Sequence, residues 1–241
     1  LAGTWDYGPL GVMLKKNIEN LWWKKFVDGR EDIFGLESSV LMSSKVWEAS
    51  GHVAGFSDPL VEDLVTKKRY RADHLFEQNN IHIDFKGNLH TNKSMIEVMT
   101  DIIKEENLKS PDGNPLGEVR QFNMMLKTHI GAIEDDSSIS YLRPETAGGM
   151  FVNFKNVLDS FHPKLPFGMA QIGKAFRNEI APRDFIFRVR ELEQMEIEYF
   201  VKSEDWERTF EEFRKQVWEF TKDIGLPEHA VHELEVGDED R

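Results

Sequence analysis

Two strand-like stretches joined by a polar segment limit the possible fold of this chain more than any other part of its sequence. The stretches cover residues 167–179 and 185–201, and residues 180–184, Ile-Ala-Pro-Arg-Asp, join them. Residues 195–201, Met-Glu-Ile-Glu-Tyr-Phe-Val, carry the bulky side chains that are typical of an interior strand. We therefore predict an antiparallel pair of strands joined by a polar hairpin.

Basic and aromatic side chains are interleaved through this hairpin, although the protein has a net charge of -13. Guanidinium groups match phosphate oxygens through two parallel hydrogen bonds, and aromatic rings stack on bases. The pattern favours a site for a polyphosphate nucleotide, and an exposed amphipathic hairpin is the alternative. The residues concerned are Lys174, Phe176, Arg177, Arg183, Phe185, Phe187, Arg188 and Arg190.

Side chains two apart in a strand share a face, so the second strand has two faces of different character. Such an arrangement predicts carboxylates in a half-buried cleft, where they need cationic partners. The more polar face carries Arg188, Arg190, Leu192, Gln194, Glu196 and Glu198, and the other carries Val189, Glu191, Glu193, Met195, Ile197 and Tyr199.

The hairpin resembles motif 2 of the class II aminoacyl-tRNA synthetases. It has Phe-Arg-Asn-Glu at 176–179, a loop, Arg188, and then Leu192 and Glu196 at intervals of four. The residues of this segment are more similar still to those of the homodimeric glycyl-tRNA synthetases. Further matches in family order are Trp-Asp-Tyr-Gly-Pro-Leu-Gly at 5–11 and the stretches 46–59, 69–74 and 142–147. The resemblance covers essentially the whole chain.

The resemblance implies an α+β fold with an antiparallel β-sheet flanked by helices. We expect one class II catalytic core over residues 1–241, with a small insertion at about 76–120. Residues 33–59 correspond to motif 1, with Pro59 as its characteristic proline, which implies a homodimer. Within this region the sequence predicts a strand at Ile33–Met42, a helix at Ser44–Ala49 and a glycine-rich loop through Gly55.

Apolar residues at helical spacing predict further helices whose stripes pack in a core. The first stripe runs from Leu10 to Phe26 and includes the pair Trp22 and Trp23, and the last runs from Trp206 to Phe220. The expected helices span about 9–26, 93–107, 144–161 and 204–223, and the remaining strands span 120–127 and 139–143.

Composition narrows the class of protein. Hydrophobic residues make up 40% of the 241 positions, without an apolar run or a leader that indicates a membrane, so we expect a cytoplasmic protein.

Cysteine is absent, which excludes disulfides and thiolate metal sites. Some family members carry a cysteine-based zinc knuckle near Ser110 and Gly113. The pair His229 and His232 lacks further ligands at convincing spacing, so no metal site is predicted.

The resemblance also implies a reaction. The glycine carboxylate attacks the α-phosphate of ATP, and the acyl group then passes to the terminal ribose of tRNA(Gly). Catalytic roles fall on Arg177 at the α-phosphate, Glu179 at the adenine amino group and Arg188 at the outer phosphates. The expected ATP-binding set also contains Asn178, Phe187, Val189, Arg190, Glu191 and Leu192. Mg²⁺ is expected, with its ligands outside this chain.

Glycine offers only an ammonium and a carboxylate, so its recognition depends on charge and on steric exclusion of larger side chains. The family's acidic pocket corresponds to Glu145 and Glu196. The expected glycine-binding set also contains Arg71, Leu192, Glu193, Gln194 and Met195.

The sequence departs from the family in two places. Leu192 stands where a phenylalanine usually stacks on adenine, and neither motif 3 nor an anticodon-binding domain follows within these 241 residues. We therefore expect the N-terminal part of a catalytic domain, incomplete for activity by itself. Two alternatives to the ligase stay open: a non-catalytic tRNA-binding or accessory protein built on a class II core, and a ligase that transfers its adenylate to another acceptor.

Overall fold

The computed structural model describes residues 1–81, 93–135 and 138–234. The predicted insertion at about 76–120 therefore lies partly outside the described residues. The chain divides into two compact units. The first contains residues 1–5, 39–148 and 174–192, and the second contains residues 6–38, 149–173 and 193–241.

Helices and strands alternate along the described residues, which confirms the α+β class. The helices are α1 (Pro9–Trp23), α2 (Ser44–Ala49), α3 (His52–Gly55), α4 (Ala72–Gln78), α5 (Met95–Glu105), α6 (Ala147–Phe161) and α7 (Trp206–Asp223). The strands are β1 (Ile33–Gly35), β2 (Leu41–Met42), β3 (Ser57–Glu62), β4 (Arg69–Arg71), β5 (Arg120–Asn123), β6 (Lys127–His129), β7 (Ile139–Leu142), β8 (Phe167–Phe176) and β9 (Glu191–Phe200). No helix among these residues is both long enough and apolar enough to span a membrane.

The first unit contains two antiparallel sheets of three strands each. Their orders are β2-β7-β6 and β4-β3-β5. A core cluster packs β3 against α4 and α5, with Val61, Phe76 and Met99 almost completely buried. Ser94 begins α5 with a capping box, because its side chain accepts from the amide of Glu97 while the Glu97 carboxylate accepts from Ser94.

A second cluster of the first unit surrounds Trp47 of α2, which is fully buried against Met125 and Tyr141. A Cβ atom on Gly148 would lie 2.9 Å from the Trp47 ring, so the start of α6 needs a glycine at this close approach. Helix α6 begins at Ala147, and the predicted start at Pro144 is three residues too early. Glu145 therefore lies in the segment between β7 and α6.

The second unit is built on the sheet β1-β8-β9. Strand β1 runs parallel to β8. Gly168 lies against Tyr199, and the amide of Arg177 donates to the carbonyl of Arg190 (2.9 Å), so β8 and β9 run antiparallel as predicted. The aromatic pair of α1 was also predicted correctly, because Trp22 is 6% exposed and packs with Phe26 of the π-helical turn Lys24–Asp28.

Further local predictions were wrong. The expected strand 120–127 is strand β5 and the first residue of strand β6, which belong to different sheets. The expected strand Ile33–Met42 is two short strands in different sheets, because the polar residues 37–39 interrupt its apolar run. The expected loop through Gly55 contains the short helix α3. The hairpin strands end at Phe176 and begin again only at Glu191, so residues 177–190 form a longer loop than predicted.

The predicted core stripes of α1 and α7 are only partly buried. Phe213 and Phe220 of α7 pack into the cluster around Trp22. Trp206 and Phe210 remain 56% and 60% exposed. Val217, Leu10 and Leu14 are likewise exposed. The interpretation of the α7 stripe as core was therefore correct only for Phe213 and Phe220.

A carboxylate holds the turn after β3. Asp63 is fully buried and accepts hydrogen bonds from Ser110 Oγ (2.6 Å), Asn114 Nδ2 (3.1 Å) and the amides of Val65 and Thr66 (both 2.8 Å). Burial raises the pKa of Asp63, but these hydrogen bonds outweigh that effect and hold the pKa well below its ordinary value. The ionised Asp63 carboxylate thus joins this turn to residues 110–114.

Replacement of Ser110 tests this assignment. Ser110→Ala removes a hydrogen bond to a buried charge, and we expect the free energy of unfolding to fall by about 1.5 to 3 kcal/mol in urea titrations. Ser57→Ala is the matched control, because the Ser57 hydroxyl accepts a hydrogen bond from the exposed side-chain amide of Gln121 (2.7 Å) and not from a buried charge, and should cost about 0.5 kcal/mol or less. Equal losses in the two variants would contradict the role of Asp63.

Candidate active site

The loop between β8 and β9 places Arg177 against the segment that precedes α6. Arg177 Nε donates to the carbonyl of Pro144 (3.1 Å), and the guanidinium lies 5.7 Å from the centre of the Phe56 ring. The main-chain bond between Arg177 and Arg190 fixes the start of the loop. Because the Pro144 carbonyl belongs to the peptide that leads into Glu145, the Arg177 cation is anchored one residue before that carboxylate.

Asn178 and Glu179 follow in a turned conformation. The amide of Asn178 donates to the carbonyl of Met124 (2.8 Å), and the amide of Glu179 donates to the carbonyl of Arg177 (2.8 Å). Glu179 is 9% exposed. A nearly buried carboxylate in a loop with several arginines is suited to accept hydrogen bonds from a polar ligand.

The far end of the loop is pinned by its own backbone. Arg183 and Arg188 exchange amide-to-carbonyl hydrogen bonds of 3.1 and 3.2 Å, which closes the tip. Asp184 and Phe185 occupy the left-handed region, with φ values of 57° and 55°. Phe187 is 85% exposed, so its ring offers an accessible face for stacking.

The last residues of the loop differ in burial. Val189 is 7% exposed, and Arg190 is half-buried with its Nη2 atom donating to the carbonyl of Glu179 (2.8 Å). Glu191 forms an ion pair with Lys174 across the strands, so this predicted site carboxylate has a cationic partner. Leu192 is half-buried and belongs to neither core cluster of the first unit.

Arg71 lies between two carboxylates that the sequence prediction did not include. Its Nη1 atom is 2.8 Å from Asp58 Oδ2, and its Nε and Nη2 atoms donate to both oxygens of Asp73 (3.1 and 2.6 Å). Asp58 is 7% exposed. Burial raises the pKa of Asp58, and Arg71 acts in the opposite direction. The signal available in the sequence was the spacing Arg-Ala-Asp at 71–73.

His74 belongs to the same surroundings. Burial lowers its pKa, Asp73 opposes this, and Arg71, Arg183 and Arg188 lower it further. The imidazole is therefore neutral near pH 7, and it adds no positive charge to a region that already holds three arginines. In the sequence, the position of His74 directly after Asp73 was the feature that could have indicated its place in the site.

Glu145 interacts with a histidine of α3. His52 Nε2 lies 3.4 Å from Glu145 Oε1, and His52 Nδ1 lies 2.8 Å from Ser50 Oγ. The His52 ring packs edge-on against Trp47, with centroids 5.2 Å apart. Packing on a buried tryptophan fixes the imidazole, and the imidazole in turn positions the Glu145 carboxylate.

The remaining predicted glycine-binding residues belong to the second unit and lie on β9. Glu193 accepts a hydrogen bond from Lys15 Nζ (2.5 Å), which raises the pKa of Lys15. Gln194 and Glu196 are half-buried, whereas Met195 is 37% exposed. The structure thus distributes the predicted glycine set over both units, with Arg71, Glu145 and Leu192 in the first.

Gln171 is a buried polar residue of the second unit that the sequence prediction missed. The Ser38 hydroxyl donates to Gln171 Oε1 (2.9 Å). Within the described part of the chain, Gln171 Nε2 is buried without a hydrogen-bond partner. A glutamine in an otherwise apolar strand segment, Gly-Met-Ala-Gln-Ile at 168–172, was the available signal.

Comparison with known proteins shows which families this chain resembles. A family model described as the tRNA synthetase class II core domain (G, H, P, S and T) matches residues 129–240. The glycine--tRNA ligase of Ureaplasma parvum serovar 3 is 51% identical over 219 residues, which cover 90% of this chain and 45% of that protein.

Two other glycine--tRNA ligases agree. That of Thermus thermophilus is 48% identical over 242 residues, covering 91% of this chain and 47% of the relative. That of Chlorobaculum tepidum is 43% identical over 252 residues, covering 96% and 53%. The chain therefore spans about half the length of the curated relatives that it matches.

A solved structure supports the fold. The structure described as the RNA binding domain of threonyl-tRNA synthetase from Cryptosporidium parvum Iowa II aligns with a TM-score of 0.54 at 15% identity, and covers 93% of this chain and 38% of that one. At such identity the similarity concerns the fold alone. Together with the sequence relatives it confirms the resemblance that motif 2 indicated: the chain is similar to the class II aminoacyl-tRNA synthetases and, among them, to the glycine--tRNA ligases.

Proposed function

We propose that the protein carrying this chain is an enzyme that attaches glycine to tRNA(Gly) with consumption of ATP, through a glycyl-adenylate. The supporting observation is the hydrogen bond from Arg177 Nε to the carbonyl of Pro144, directly before Glu145. It anchors a guanidinium beside the segment that carries a carboxylate, which suits the carboxylate and the ammonium of a free amino acid. The relatives named glycine--tRNA ligase supply the choice of glycine.

The proposed reaction has two displacements. In the first, a glycine carboxylate oxygen attacks the α-phosphorus of ATP and pyrophosphate leaves. In the second, a hydroxyl of the terminal tRNA ribose attacks the adenylate carbonyl, and AMP leaves as the ester forms. Neither step needs a protein nucleophile, so charge stabilisation and positioning carry the catalysis.

The residues of the β8–β9 loop take the nucleotide roles. Arg177 holds the α-phosphate together with the reacting carboxylate, Glu179 accepts from the adenine amino group, and Arg188 contacts the outer phosphates. The near burial of Glu179 supports its role, because a desolvated carboxylate in a fixed turn discriminates well between donors and acceptors. Asn178, Phe187, Val189, Arg190, Glu191 and Leu192 form the surrounding wall.

Following the resemblance, we assign recognition of the glycine ammonium to Glu145 and Glu196, with Arg71 and residues 192–195 as the other members of the glycine-binding set. Asp58 and Asp73 form ion pairs with Arg71 and balance the charge of its guanidinium. We therefore assign Arg71 the task of shaping the wall rather than binding the substrate carboxylate. Larger amino acids are excluded by steric overlap.

Further components of the proposal rest on the resemblance. They are a homodimer formed through the motif 1 region at 33–59, a cytoplasmic location, and Mg²⁺ as the counter-ion of ATP. Within residues 1–81, 93–135 and 138–234, no group of three or more His, Asp or Glu side chains is placed to hold a metal ion. No step is therefore assigned to the metal.

Two assays test the function in the natural protein that carries this chain. Glycine-dependent exchange of pyrophosphate into ATP reports adenylate formation, and charging of tRNA(Gly) reports transfer. Exchange without charging favours a ligase with another acceptor. Loss of both, with tRNA binding retained, favours the non-catalytic alternative and contradicts the proposal.

Arg177 gives the sharpest test of the nucleotide role. Arg177→Ala should reduce glycine-dependent pyrophosphate exchange at least about a hundredfold, the scale expected when a transition-state charge contact is lost. Arg177→Lys should restore only part of the rate, because an ammonium does not reproduce the guanidinium fork. Arg208→Ala, at an exposed arginine of α7, is the control and should leave exchange unchanged. Near-normal exchange in Arg177→Ala would exclude this assignment.

Glu196 tests the ammonium site. Glu196→Gln removes one charge without changing shape, and we expect the KM for glycine to rise about tenfold or more while the KM for ATP changes little. Glu198→Gln, two residues further along the same face of β9, is the matched control. Equal increases in both KM values would show that Glu196 supports the fold or the nucleotide instead.

Leu192 tests where adenine lies. If the base packs on this half-buried side chain, Leu192→Phe should strengthen ATP binding by about 0.5 to 1.5 kcal/mol, the value of an aromatic stacking contact. Glycine affinity should stay the same. ATP affinity and thermal stability are measured together. Lower stability without tighter ATP binding would instead mean that the larger ring overpacks the interior.

A further inference from the structure

The segment Leu1–Trp5 lies along the β8–β9 loop within the first unit, and we call it the strap. The amide of Arg190 donates to the carbonyl of Gly3 (2.6 Å), and Arg190 Nη1 donates to the carbonyl of Ala2. Thr4 turns back on Leu1, with its amide and its hydroxyl both donating to the Leu1 carbonyl (3.3 and 2.8 Å). The strap is therefore held through its main-chain carbonyls by a residue of the proposed nucleotide loop.

Gly3 makes the close approach between strap and loop possible. Its φ is +73°, and a Cβ atom at this position would lie 2.6 Å from both Cβ and Cγ of Pro182. Any other L-residue is disfavoured by the backbone conformation and excluded by the contact. The strap thus depends on a glycine for two separate reasons.

Trp5 packs on the part of the loop that is least favourable by itself. Its ring meets Phe185 edge-on, with centroids 4.6 Å apart, and the two residues are 52% and 64% exposed. Phe185 and its neighbour Asp184 both have positive φ, a conformation that persists only where surrounding contacts determine it. The indole of Trp5 is such a contact.

Arg190 connects the strap to the carboxylate at the proposed adenine position. While Nη1 bonds Ala2, Nη2 donates to the carbonyl of Glu179 (2.8 Å), and the carbonyl of Arg190 accepts from the amide of Arg177 (2.9 Å). One side chain and its backbone therefore bond the strap, Glu179 and Arg177. A change in the strap can therefore alter the positions of Glu179 and Arg177 through Arg190.

We propose that the strap is a positioning element of the nucleotide site, which orders the β8–β9 loop before ATP binds. The inference rests on the proposed function for the identity of the ligand. Gly3, Thr4 and Trp5 act on the loop and not on ATP itself. Their effect is to lower the entropic cost of fixing the loop on the nucleotide.

The test uses the natural protein that carries this chain, with four variants. Trp5→Ala removes the ring contact, Trp5→Phe keeps an aromatic ring, and Gly3→Ala introduces the clash with Pro182. Gly113→Ala is the matched control, because Gly113 also has a positive φ (+80°) but a Cβ atom there would have nothing within 4 Å. The readouts are amide hydrogen exchange of residues 182–188, the Kd of ATP, and the KM of glycine.

For Trp5→Ala and Gly3→Ala we expect exchange in residues 182–188 to be about fivefold faster or more, since their protection depends on local contacts. The Kd of ATP should rise about fivefold or more through lost preorganisation, while the KM of glycine stays within about twofold. Trp5→Phe should recover most of the ATP affinity. Gly113→Ala should resemble the unaltered protein.

Each other outcome overturns a defined claim. Unchanged exchange in the loop, unchanged ATP affinity, or an equal loss in Gly113→Ala would overturn the strap as a positioning element. Absence of ATP binding by the unaltered protein would overturn both the strap and the proposed function. ATP binding that responds to the strap, without glycine-dependent exchange, would overturn the proposed function alone.

Discussion

The hydrogen bond between the amide of Arg177 and the carbonyl of Arg190 is the constraint on which the candidate site depends. It follows directly on the last residue of β8 and precedes the first residue of β9, so the strand pairing fixes both ends of the loop. Within that closed loop the chain adopts turned and left-handed conformations, whereas a regular hairpin would have alternated its side chains on two faces.

Charge balance explains how such an acidic chain keeps a cationic loop. Arginines of the first unit have partners of two kinds: Arg71 pairs with Asp58 and Asp73, whereas Arg190 donates to two backbone carbonyls. Arg177 donates to a carbonyl and lies over an aromatic ring. Carbonyl partners hold a guanidinium without neutralising it, whereas carboxylate partners do neutralise it. The charge of Arg71 is therefore balanced by two carboxylates, whereas the described hydrogen bond and ring contact of Arg177 involve no carboxylate.

Much of this could be predicted because the signals are local. Ser94 with Glu97 indicates the start of α5, and helix α2 was predicted with its observed bounds. The loop was placed correctly but made too short, because an alternating pattern continues through Arg188 and Arg190 although the ladder has stopped. The ion pair of Arg71 with Asp58 and the contact of Trp5 with Phe185 could not be predicted. They join positions whose pairing depends on tertiary packing rather than on spacing.

Asp63 shows how this chain stabilises a turn with an ionised side chain. Ser110 belongs to the group of donors that surround the Asp63 carboxylate, and no thiol exists anywhere in the sequence. Because the pKa of the Asp63 carboxylate is lowered, its hydrogen bonds stabilise the fold fully at pH values above the ordinary aspartate pKa of about 4. This stabilisation is lost as the pH falls below that value and the carboxylate becomes protonated. The integrity of this turn is thus tied to the pH of its surroundings.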